Sequence, residues 1–173
     1  MRQLNTCSER VIKSYVVEDN MPVLVNKVEI TDDEVHAEMQ HHPAKSVDSA
    51  RDLAAEALVI RELLFQEAVR LKLSNIKSTK DATEAEIASV IDKLLEQEIS
   101  IPEADNETCQ HYYEQHKESF ADKKSGSILP FDLVQKHIQD YIHDKAMRVA
   151  VRQYIEKLTR AAKIAGFNML PQL

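Results

Sequence analysis

Glycine is almost missing from this sequence, tryptophan is missing altogether, and cysteine and aromatic residues are scarce. With only 2 Gly in 173 residues, architectures built on many tight turns are excluded, because glycine supplies the positive-φ positions that hairpins and phosphate-cradling loops demand. The same scarcity removes the Walker and Rossmann fingerprints, which need glycines at fixed spacings. Cys7 and Cys109 are too few for a disulfide framework and too isolated for a zinc site, and free thiols fit a reducing compartment. Aromatics at 5% leave no dense set of stacking platforms for single-stranded nucleic acid. No apolar run reaches the roughly 18 residues of a membrane span. Met1 to Glu18 lack the apolar centre of a secretory signal. The expected location is cytoplasmic, or periplasmic if a signal peptide has been removed, and no membrane partner is expected.

What is present is 43% hydrophobic and 29% charged, enough for one soluble domain with a real core. The formal charge of −7 repels phosphate backbones on average, so no nucleic-acid partner is expected.

Helical signals dominate the chain. Ser8 to Val17 carries apolar residues at helical spacing and predicts a short leading helix. Val23 to Ile30, after Pro22, is a β-branched run that reads as one short strand or extended segment. Thr31-Asp32-Asp33-Glu34 is a capping box that starts a helix running to Pro43, and Thr83-Glu84-Ala85-Glu86 repeats the pattern. Between them, Leu53, Ala54, Ala57, Ile60, Leu64, Ala68 and Leu71 predict a long helix over Val47 to Leu73 with one buried stripe. Its charges, Glu56, Arg61, Glu62, Glu67, Arg70 and Lys72, read as the solvated face.

After Thr83, Ile87, Val90, Ile91, Leu94 and Leu95 form the core face of a helix that stops before Pro102. A further helix is expected over Glu103 to Lys117, with Phe120 as an anchor after it. Asp122 to Ser127 is the clearest break. Beyond Pro130 an apolar pattern runs from Phe131 through Tyr141 to Ala162, and Gly166 sits where a helix C′ residue would turn left-handed. Phe167 to Leu170 reads as a second short strand pairing with residues 23 to 28.

No catalytic or metal constellation stands out. His36, His41 and His42 lie close in sequence, as do His137 and His143 with Asp140 and Asp144, but none has ligand spacing on one helix turn. Cys109 beside Tyr112 and Tyr113 reads as a packed thiol, and there is no GxSxG elbow. The expectation is therefore no catalytic residue, no metal and no cofactor.

The order of "VLVNKVEITDDEV", then "EALVIRELLFQEAVRLKL", then "ISIPEADNETCQHYYEQHKESF" resembles the chaperone domain of SurA-like and PrsA-like parvulin-type peptidyl-prolyl isomerases. "LPFDLVQKHIQDYI" and "AVRQYIEKLTRAAKIAGFNML" resemble the helix that returns after the isomerase insert, and "IPEADNETCQHYYEQH" is most similar to the NifM-like branch. The resemblance covers most of residues 23 to 170.

One departure matters. Where the family carries its parvulin domain, only eight residues separate Phe120 from Leu129, 121 to 128. Ser125-Gly126-Ser127 there reads either as a splice between the flanks of a removed domain or as a natural polar loop.

The resemblance implies an all-α, SurA-like helical bundle closed by a long C-terminal helix, with a small two-stranded ribbon joining residues near 24 and 168. Residues 1–121 form its N-terminal region, 122–129 a linker, and 130–173 the closing helix. It implies a non-catalytic chaperone that holds client polypeptide through Tyr112, Tyr113, Phe120 and Phe131, although the residues by themselves read first as core packing for Tyr112 and Phe120. The alternative is a helical interaction protein, a homodimer formed by exchange of the C-terminal helix, because a short hinge favours swapping.

Overall fold

The computed structural model describes residues 22–122 and 126–167. The expected leading helix at Ser8 to Val17 lies outside them. The described residues are mostly helical, with five α-helices and a small three-stranded antiparallel sheet.

The β-branched run expected as one strand is a hairpin: β1 (Val23–Val25) pairs antiparallel with β2 (Val28–Ile30). Asn26 and Lys27 both have positive φ, 49° and 81°, the two-residue turn whose twist suits paired strands. Thr31 then caps α1 (Asp32–Met39) with the expected box: its hydroxyl accepts from Glu34 N while its own N–H donates to Glu34 Oε2. The helix ends short of Pro43. His41 and His42 donate back three residues, to Glu38 and Met39, so the helix tightens before the proline bars α geometry at residue 42.

Ser46 caps α2 (Val47–Arg70), against which α1, α3, the second half of α5 and the sheet pack. The single stripe expected here is too narrow. Leu53 is 41% exposed, while Val59, Leu63, Leu64 and Phe65 are buried over a wider arc, because α2 is covered on two sides. On one side Ala54, Ala55, Val59 and Leu63 pack with Val25, Ile30 and Val35 of the sheet and α1. On the other, Leu64, Phe65 and Ala68 pack with α3 (Glu84–Glu98), through Ile87, Val90 and Leu94, and with Tyr154. Thr83 supplies the second capping box, as expected.

The end of α2 falls before Leu73. Lys72, at φ 62°, stands at the left-handed C′ position; its N–H donates to Val69 O and that of Leu73 to Ala68 O. These two bonds make a Schellman closure with lysine where glycine is usual.

Asp105 caps α4 (Asn106–Gln115), shorter than the Glu103 to Lys117 expected because its carboxylate takes the amide of Thr108 at 2.8 Å. The last helix, α5 (Phe131–Ala161), is a single rod of 31 residues, about 46 Å long. Its N-terminal half buries Val134 and Ile138 against α4, and its C-terminal half buries Tyr154 against α2 and α3. From Val134 to Ile142 the packed residues recur every four. The next packed residue, Met147, comes five later. At 3.6 residues per turn, Phe131, Val134, Ile138 and Ile142 then lie about 180° around the rod from Met147, Val151, Tyr154 and Leu158. The two halves of α5 therefore pack on opposite faces.

α5 stops at Ala161, so Gly166 is no helix C′ residue; its φ of 75° serves the chain after β3 (Ile164–Ala165). β3 pairs antiparallel with β1, Leu24 opposite Ala165, in the sheet order β2-β1-β3. The ribbon expected near residue 168 thus forms earlier and has three strands. Phe167 is not in a strand, and Asn168 to Leu170 lie outside the described residues.

Candidate functional site

α4 and the first half of α5 form a small lobe with its own apolar cluster of Cys109, Tyr113, Val134 and Ile138, flanked by Tyr112, Phe120, Phe131 and Ile142. Two glutamines anchor it: Gln139 Nε2 donates to Ala104 O at 3.3 Å and Gln135 Nε2 to Asn106 Oδ1 at 3.0 Å. A 3-10 turn, Lys117–Phe120, carries the chain out of α4.

The chain on either side of residues 123–125 is hydrogen-bonded. Leu129 N donates to Phe120 O, Asp122 N to Ser127 O and Gly126 N to Asp122 O, and Ala121 bridges to Ile128. Gly126, at φ 71° with open space around it, provides the left-handed step. The lobe is further locked by the Tyr113 hydroxyl, which donates to Leu129 O at 2.7 Å.

The four residues expected to contact a client converge here. Tyr113 is buried; Tyr112, Phe120 and Phe131 are half-buried. Tyr113 lies 5.5 Å from Phe120 and 5.6 Å from Phe131, centroid to centroid. Tyr112 stacks on His116 at 4.2 Å, one helical turn on, and meets Phe120 edge-on at 6.5 Å. Such pairs add to stability beyond their burial, about 0.5–1.5 kcal/mol each. Burial, and then the neighbouring Tyr141, push the Tyr112 phenol above its ordinary pKa. Burial likewise pushes the Cys109 thiol up, with Asp105 adding to the effect, so the thiolate form that reactivity needs is disfavoured.

Sequence reasoning missed the apolar rim. Tyr141, counted in the apolar pattern of α5, is 42% exposed and lies 5.4 Å from Tyr112. Ile128, Leu129 and Leu133 are also exposed, Leu133 at 74%. The signal was the shift in spacing after Ile142, which turns the packed face around the rod and leaves Val149 uncovered.

Glu62 is the other surprise. Expected on the solvated face, it is 5% exposed. Its carboxylate accepts from Thr79 Oγ1 at 2.7 Å and from Gln66 Nε2 at 2.6 Å. Gln66 passes the connection on, donating to Val25 O and accepting from Asn26 Nδ2. This network ties the loop before α3 to the hairpin. A buried carboxylate so satisfied is structural chemistry.

Among the described residues no three His, Cys, Asp or Glu side chains converge to hold a metal, and no helix is long and apolar enough to cross a membrane. A wide depression of about 820 Å³ on the outer side of α4, lined by Asp105, Glu107, His111 and Glu114, is open to solvent. Comparison with protein-family models, with curated proteins and with solved structures gives no match for the chain.

Proposed function

We propose that this chain is a non-catalytic chaperone module, the client-holding bundle of a parvulin-type foldase without its isomerase domain. The observation that carries the reading is the α4–α5 lobe, with half-buried Tyr112, Phe120 and Phe131 and exposed Ile128, Leu129, Leu133 and Tyr141 on one small element pair. Aromatic and aliphatic groups that stay partly wet in the native state give a non-native segment apolar surface to bury. The lobe rests on a body with its own buried clusters, so it can meet clients without opening the core. The SurA-like ordering of motifs and the pairing of β3, after α5, with β1, before α1, agree with this reading. Client polypeptide is the partner; neither nucleotide nor covalent chemistry is involved.

The test is suppression of aggregation of an unfolded model protein, read by light scattering, with a prolyl-isomerisation assay on the same sample. Suppression without any isomerisation rate above the slow uncatalysed one is the expected result. Failure to suppress aggregation at several-fold molar excess would sink the proposal.

A second reading, a homodimer formed by exchange of α5, is favoured by the length of that helix and its two separate packing faces. The hydrogen bonds that tie Phe120 and Asp122 to Gly126, Ser127 and Leu129 oppose it, since exchange would break them. Mass that rises with protein concentration would favour the dimer.

A further inference from the structure

We infer that the outer face of α5 from Tyr141 to Arg152 docks an acidic, amphipathic segment of polypeptide; the inference rests on the client-holding reading and names the client's chemistry. The face that α4 covers along the first half of the helix continues uncovered into the second half. There it carries Lys145, Arg148, Val149 and Arg152, at i, i+3, i+4 and i+7, all exposed.

The charge of this stretch runs against that of the whole chain. Residues 141 to 163 hold Lys145, Arg148, Arg152, Lys157, Arg160 and Lys163 against two acids, Asp144 and Glu156, in a protein of net charge −7. Glu156 is engaged by Arg160 at 3.5 Å. Arg148 Nε reaches only its own helix, at Asp144 O. Among the described residues Lys145 and Arg152 make no ion pair.

Apolar surface lies in the same strip. Val149 is 48% exposed and Tyr141 42%. From Tyr141 to Arg152 the strip is about 17 Å long, three turns of helix. An amphipathic helix of that length, with apolar anchors at one-turn spacing and carboxylates beside them, meets both the apolar residues and the cations.

A polyanion such as nucleic acid matches the cations alone and leaves Val149 and Tyr141 unused, while the chain's overall charge repels it. A second copy of the chain offers acids on α3, but the apolar residues of that helix, Ile87, Val90 and Leu94, are already buried in its own body. A separate acidic amphipathic segment is the occupant that uses the whole strip.

The experiment is fluorescence anisotropy of a labelled helical peptide of about three turns, with leucines on one face and glutamates flanking them, titrated with the full chain. Three further probes are its lysine-for-glutamate counterpart, a serine-for-leucine version, and a single-stranded oligonucleotide. The acidic amphipathic peptide is expected to bind best and to weaken with added salt. The Lys145→Glu/Arg152→Glu variant should lose about tenfold or more in affinity while keeping its helical circular dichroism, and Val149→Ser should weaken binding without altering its salt dependence.

Equal binding of the lysine peptide, equal binding of the serine version, tighter binding of the oligonucleotide, or self-association abolished by the charge reversal would each overturn the inference. If aggregation suppression persists while the acidic peptide fails to bind, this inference falls and the client-holding reading stands. If both fail, so does that reading.

Discussion

Asn26 and Lys163, 137 residues apart, are joined by two hydrogen bonds: Asn26 N donates to Lys163 O at 2.9 Å, and Lys163 N donates to Asn26 Oδ1 at 2.8 Å. The turn of the first hairpin thus grips the chain as it enters β3, and Asn26 Nδ2 also reaches Gln66 on α2 at 2.9 Å. Asparagine suits both tasks, tolerating its φ of 49° while offering an acceptor and a donor. Asn26→Ala should destabilise the fold by about 2 kcal/mol, combining left-handed strain with lost side-chain bonds. Asn26→Gly, which removes only the bonds, should cost about 1 kcal/mol. Urea denaturation of both variants is the check, and equal losses would mean that the left-handed turn carries no strain.

Lys72 offers the opposite opportunity. It occupies the C′ position of α2 at φ 62°, where a side chain crowds the backbone and glycine does not. Replacing it removes no ion pair among the described residues. Lys72→Gly is expected to raise stability by about 0.5–1 kcal/mol, the relief of strain exceeding the added freedom of the unfolded chain. A drop in the denaturation midpoint would show that the lysine chain contributes more by packing than it costs in strain.

What could be read from sequence here was whatever four or five neighbouring residues decide among themselves. The Thr31–Glu34 and Thr83–Glu86 boxes form as written because cap and partner lie three residues apart. The hairpin at Asn26-Lys27 and the end of α2 at Lys72 escaped because none of these three left-handed positions holds the glycine that marks them in sequence. The burial of Glu62 was illegible for another reason: one of its partners, Thr79, is 17 residues away and arrives only with the tertiary fold. For the lobe, sequence named Tyr112, Tyr113, Phe120 and Phe131 but read Tyr112 and Phe120 as the packed pair, whereas Tyr113 is the sealed one and those two are half-buried. Adjacent residues on a helix point about 100° apart, and the partner helix chooses between them.

Tyr154 is buried and, among the described residues, its hydroxyl has no hydrogen-bond partner. Burial, reinforced by the negative charges of Glu67 and Glu98, pushes its pKa up to about 12 from an ordinary value of 10. A folded-state pKa above the unfolded one means that the unfolded chain gives up this proton first. Stability from this group is therefore intact below pH 10 and is lost as pH rises from 10 towards 12. The shift corresponds to about 3 kcal/mol. Tyr154→Phe should be neutral to slightly stabilising at pH 7, because it removes an unpaired buried polar atom. It should outlast the parent chain clearly at pH 11. Parallel denaturation curves at the two pH values decide the matter, and an unchanged difference between parent and variant would show that Tyr154 does not titrate with unfolding.

Tyr112 and Tyr113 separate holding from folding. Tyr113 is sealed in the lobe, and its hydroxyl fastens Leu129, so Tyr113→Ala opens a cavity and frees Leu129 at once. A loss of about 3–4 kcal/mol is expected, confined to the lobe if α4 can unfold while the body stays intact. Tyr112 faces the wet rim with Tyr141 and His116. Tyr112→Ser should cost about 1–3 kcal/mol, less than Tyr113→Ala, yet reduce aggregation suppression, since it removes half-buried aromatic surface at the rim rather than sealed core. Hydrogen exchange of the α4 amides gives the stability reading and light scattering the functional one. Should Tyr112→Ser leave suppression untouched while Lys145→Glu/Arg152→Glu abolishes it, the client would be held by the basic face of α5 alone, and the aromatic cluster would serve only to fasten α4 to that helix.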